Sequence, residues 1–180
     1  MFVQERELSC FSLGVKMNWY LVIKFLHILS AIMYVGGIFS RQLVRQYAKK
    51  TDDLRSFTSL INAAGRIEGI MVVAGAQALI VLGVILALIA DIPIFGSLQG
   101  ASQNWLLVSN ILLLAGLVLV PTVFVPRGKK FESVLQAALA ENRITPELRA
   151  AMDDKVVKLS HHYQEVSLIV IVALMVLKPF

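Results

Sequence analysis

Residues 19–39 read WYLVIKFLHILSAIMYVGGIF. The stretch is apolar almost throughout and close to the ~20 residues that carry a helix across about 30 Å of hydrocarbon. Lys24 and His27 interrupt it where lipid makes ionisable groups costly. They are one helical turn apart, on neighbouring positions of one face. An imidazole in such a span is a candidate ligand, proton relay or cofactor site, so His27, with Lys24 beside it, is the first candidate for function.

Working outward, residues 69–90, 105–125 and 159–177 are apolar runs of the same kind. With 57% of 180 residues hydrophobic and a mean hydropathy of +0.74, the chain exceeds what a soluble domain carries. Four such helices predict an all-α fold, an antiparallel four-helix membrane bundle forming one domain over residues 17–180.

The basic residues orient it. Arg41, Arg45, Lys49, Lys50, Arg55 and Arg66 follow the first span. Arg127, Lys129, Lys130, Arg143, Arg149, Lys155 and Lys158 precede the fourth, whereas residues 91–104 contain no Lys or Arg. Because Lys and Arg are retained in the cytoplasm, this predicts two cytoplasmic connections, an outer hairpin and both termini outside. The net charge of +5 is therefore a topology signal, and neither connection offers the basic face with stacking aromatics that a nucleic-acid binder needs.

Residues 1–16 mix Glu5, Arg6 and Glu7 with a short apolar patch and lack the core and cleavage site of a signal peptide. We read them as an extension, with translation expected to begin at Met17. Cys10, the single cysteine, falls there, so no intrachain disulfide can form.

The cytoplasmic connections read as helical extensions. Thr51, Asp52 and Asp53 mark a helix start, and Leu54, Phe57, Ile61 and Ala64 continue at helical spacing into the second span. Phe131, Val134, Leu135, Ala138 and Leu139 form an amphipathic helix that breaks near Asn142. Thr145 and Pro146 are a cap and first-turn pair, from which one helix is expected to run uninterrupted into the fourth span.

Depth decides which polar groups can cooperate. At 1.5 Å per residue, His27 lies about 12 Å beneath Trp19 and Asn110 about 8 Å beneath Trp105. Asn110 is thus the natural hydrogen-bond partner for His27, while Lys24 has a stem long enough to snorkel outward. His161 and His162 lie on the order of 15 Å from His27 along the membrane normal and cannot share a metal with it. Their expected role is interfacial solvation, with Glu165 four residues after His161 as its partner. Gln77 and the small residues Gly36, Gly37, Gly75, Ala76 and Gly83 suit close helix packing with an interhelical hydrogen bond. Pro121 is expected to kink the third span and Pro126 to end it.

The run Lys24-Phe25-Leu26-His27-Ile28-Leu29, followed by Tyr34, Gly36-Gly37 and Phe39, resembles the first span of a group of small bacterial membrane proteins. The group comprises HemJ-type protoporphyrinogen oxidases, the membrane domain of the copper-resistance protein CopD, and an uncharacterised family of predicted four-span integral membrane proteins. The last is similar in length and span count. The HemJ-type motif has Trp where Tyr34 stands, and residues 91–104 lack the His and Met clusters of a copper role. The resemblance implies a bacterial inner membrane, and it implies haem or metal at the motif's histidine, here His27, with Lys24 as the motif's lysine.

Two functions follow as expectations. In one, His27 ligates the iron of a b-type haem in a redox or tetrapyrrole-related role, five-coordinate or shared between two His27 of a homodimer, with the basic rim meeting propionates or anionic lipid. In the other, the chain is a non-enzymatic bundle, a small transporter, assembly factor or subunit of a larger membrane complex, with His27 in a structural hydrogen bond. There is no phosphate-cradling loop, nucleophile elbow or zinc-binding H-E-x-x-H.

Overall fold

The computed structural model describes residues 18–100, 102 and 104–179. The expected extension, residues 1–16, the start at Met17 and Cys10 lie outside the described residues. Four helices long and apolar enough to cross a membrane are present: α1 (Trp19–Lys49), α2 (Leu54–Ile89), α3 (Trp105–Ala140), and a fourth unit made of α4 (Pro146–Met152) and α5 (Lys155–Leu177). The first three spans and their extensions are thus continuous rods, as the apolar periodicity implies. α1 and α2 form one hairpin, and α3 packs on α5.

Capping residues set the boundaries. Asp53 Oδ2 accepts from the Ser56 backbone N–H at 2.8 Å and starts α2, and Thr145 Oγ1 accepts from Leu148 at 3.2 Å and starts α4. α3 ends where Asn142 adopts φ 51°, with the Arg143 N–H reaching back to the Ala138 carbonyl at 3.2 Å. The expected uninterrupted run from Pro146 does not occur. Asp154 Oδ1 accepts from Val156 and Val157 and caps a new helix, which breaks the rod after Met152.

Pro126 does not end the third span either, since α3 continues to Ala140. Residues Val120–Phe124 form a π turn, and Pro126 follows it in the first turn of the next regular segment. A wide turn already releases carbonyls there, so the prolines, which have no N–H, are accommodated without breaking the rod. A second π turn occupies Glu68–Val73 in α2.

The core lies towards the end carrying the basic residues. Ala48, Phe57, Leu135, Ala138, Leu148 and Met152 make one buried cluster that joins α1, α2, α3 and α4. Ile38, Val72 and Leu168 make a second that joins α1, α2 and α5. Ile32, Leu88, Ile169 and Val176 are 63%, 65%, 61% and 74% exposed, a surface suited to lipid tails and not to water.

Candidate functional site

The two residues first singled out part company. Lys24 is exposed and its Nζ sits 5.9 Å from the Tyr20 ring centroid, one turn closer to the Trp19 end, the geometry of a snorkelling lysine. His27 is half-buried between α1 and α2. A Cβ on Gly83 would stand 3.0 Å from His27 Cε1 and 3.5 Å from Nδ1, a contact so tight that the ring would have to give way to any larger residue. The imidazole interacts with the Leu79 backbone, whereas Nδ1 is buried without a hydrogen-bond partner among the described residues. The expected pairing with Asn110 does not form, because Asn110 Nδ2 donates to the Ile94 carbonyl at 2.9 Å and holds the connection between α2 and α3 instead. The small-residue seam does form: a Cβ on Gly37 would come within 2.6 Å of Met71 Cβ, and one on Gly75 within 3.3 Å of the Tyr34 backbone.

A second constellation lies at the basic end. Arg41 is 2% exposed. Its Nη1 donates to both carboxylate oxygens of Glu68 at 2.6 Å, and its Nη2 donates to His161 Nδ1 at 3.0 Å. Arginine has no lone pair to offer, so Nδ1 is the acceptor and the His161 proton sits on Nε2. The His161 ring stacks on Phe124 with centroids 4.8 Å apart. The cluster ties α1, α2, α3 and α5 together at one level.

It leaves two donors unused. Arg41 Nε and His161 Nε2 are both buried and lack acceptors among the described residues. Leaving such an N–H unsatisfied costs roughly 1–3 kcal/mol, so a site that keeps two of them suits a ligand oxygen or an ordered water.

The readings of the histidine pair need correcting. His161 is 5% exposed, not solvated, and its partner is Arg41. Glu165 instead faces His162, with Nδ1 and Oε2 3.9 Å apart. Side chains three apart share a helix face as readily as those four apart, and the rotation of α5 turns His161 inward and His162 outward.

Arg41 also lines a chamber of about 1120 Å³ between α2, α3 and α4. Phe124 and Phe131 form apolar parts of its wall. Two ion pairs, Arg41–Glu68 and Arg127–Asp154, are internally neutral. Beyond them, the three cations Arg45, Arg66 and Lys130 face the two carboxylates Glu132 and Glu147. The chamber therefore combines greasy walls with a modest positive excess.

Sequence reasoning counted Arg41 as one of many loop cations and passed over Glu68. The available signal was position, for each abuts an apolar run, Arg41 after residue 39 and Glu68 before residue 69. Among the described residues no three His, Cys, Asp or Glu side chains converge as metal ligands.

No curated protein and no solved structure matches the chain. A family model described as "Predicted integral membrane protein (DUF2269)" matches residues 21–179, which takes in the four spans but for Trp19 and Tyr20, the Arg41–Glu68–His161 cluster and the His27–Gly83 contact. The chain belongs to this family of integral membrane proteins.

Proposed function

We propose that the protein is a non-enzymatic membrane bundle, a small carrier or accessory subunit, that binds an anionic amphiphile in the chamber at its basic end, on the cytoplasmic side. The observation that carries this reading is the unused Nε–H donor of Arg41, a residue that lines the chamber, with a second unused donor on its neighbour His161. An anionic headgroup supplies the missing acceptor oxygens, and its acyl chain runs along Phe124 towards the lipid-facing side. The same end holds the cations that a cytoplasmic leaflet attracts.

Binding of phosphatidylglycerol and phosphatidylcholine to maltoside-purified protein, followed by native mass spectrometry, tests it. The expected result is about tenfold preference for the anionic lipid, reduced in Arg66→Gln/Lys130→Gln, since each such cation contributes about 1 kcal/mol towards anionic lipid. Equal retention of both lipids would contradict the reading.

A second reading keeps His27 as a haem ligand. Its unpartnered Nδ1 supports that role. The Gly83 contact counts against it, because a porphyrin on Nδ1 would require α1 and α2 to part there. A Soret band that disappears in His27→Ala would favour this reading, and a colourless preparation after haem supplementation would remove it.

A further inference from the structure

Gln77 occupies the interior of the apolar run 69–90, about 12 Å from its start at 1.5 Å per residue. Its side chain does not turn into the bundle, where an interhelical hydrogen bond was expected. It is exposed, on the outer face of α2, and makes no hydrogen bond among the described residues. The π turn Glu68–Val73 turns the chain less per residue than an α-helix and so sets the phase of everything after it. Gly75 then faces α1, and Gln77, on the other side, faces lipid.

A carboxamide in hydrocarbon offers two donors and an acceptor with no water to meet them. Other hydroxyls on these spans solve the problem locally: Ser30 Oγ donates to the Leu26 carbonyl at 2.9 Å and Thr122 Oγ1 to the Val118 carbonyl at 2.6 Å. Gln77 does not. Ala74, Gln77, Val81, Val84 and Leu88 are all exposed and spaced 3, 4, 3 and 4 residues apart. That spacing is the seam of a left-handed helix pair, with the amide at one of its central positions and a small residue one turn away.

We propose that the protein is a homodimer in the membrane, assembled through this α2 face, with Gln77 of each copy hydrogen-bonded to Gln77 of the other. A second copy is the partner the chemistry selects. An amide is self-complementary, a twofold axis along the membrane normal brings the same residue to itself, and residues 69–90 contain no charge to repel a like helix. A single amide in such a seam fixes register as well as adding affinity.

The test uses full-length protein carrying Cys10→Ser, reconstituted in liposomes, with single cysteines introduced by Gln77→Cys, Val81→Cys, Val84→Cys, Ile32→Cys or Ile169→Cys. Oxidation should give dimers at 77, 81 and 84 and none at 32 or 169, which lie on other lipid-facing surfaces. In parallel, energy transfer between labelled copies should show that Gln77→Leu weakens association about tenfold while Gln77→Asn retains most of it. Gln77 is on the outside, so Gln77→Leu leaves the monomer fold intact, which α-helical circular dichroism verifies. Crosslinking without this pattern, a monomer at every lipid dilution, or unchanged association in Gln77→Leu would each overturn the proposal.

Discussion

Arg41 Nη2 lies 3.0 Å from His161 Nδ1, a contact that spans 120 positions of sequence and closes the α1–α2 hairpin against α5. Glu68 completes the arrangement from the second helix. Among the described residues the guanidinium is the one charged side chain of those fully buried, so its neighbours must neutralise it.

That asymmetry predicts an order of effects. Glu68→Gln strands a buried cation and should lower stability by about 3 kcal/mol, the low end for breaking a buried pair. Arg41→Met strands only a carboxylate that is 40% exposed and can hydrate, and it should cost about half as much. Reversible unfolding in mixed micelles gives both values, and the reverse order would contradict the assigned geometry.

The His27–Gly83 contact predicts coupling. Gly83→Ala puts a methyl 3.0 Å from His27 Cε1 and should destabilise the α1–α2 hairpin by about 1–3 kcal/mol. In His27→Ala the same substitution should be close to neutral. A double-mutant cycle measures the difference, and additivity within about 0.5 kcal/mol would show that the two residues do not touch.

The break before α5 predicts a loss at a single cap. Asp154→Ala removes the acceptor for Val156 and Val157 together with the Arg127 pair, and should cost about 1–2 kcal/mol. Asp154→Asn keeps the cap and should recover most of that. Thermal unfolding of the two variants separates cap from charge.

Asp153 predicts a pH dependence. Hydrogen bonds from Lys158 at 2.7 Å and Lys49 at 3.1 Å hold its carboxyl below the usual carboxylate range. A folded value below the unfolded one of about 3.9 means the contribution is complete above that pH and is lost as pH falls through the folded value. The melting temperature should therefore drop below about pH 4 by more in the parent than in Asp153→Asn. Parallel curves for the two would show that the bridge is not formed.

The spans and most helix starts are legible because they depend on local features: the length of apolar runs, the cap at Thr145, and the left-handed break at Asn142. The Arg41–His161 contact is not, since it depends on the register of α1 against α5 across the whole fold. Arg41 was legible only as a topology cation, because the helix carries it past the apolar run and into the core. The orientation of Gln77 was hidden by the π turn at Glu68–Val73, which changes the rotation per residue just ahead of it. Pro126 misled for a related reason, as the wide turn before it absorbs what would otherwise end a helix.

Nitrogen NMR of protein labelled at arginine tests the central claim most directly, with the Arg41 Nε–H signal assigned by its loss in Arg41→Lys. On adding phosphatidylglycerol to maltoside micelles, that signal should move downfield as the donor gains an anionic oxygen, and phosphatidylcholine should move it far less. A signal that stays in place with both lipids would contradict the account.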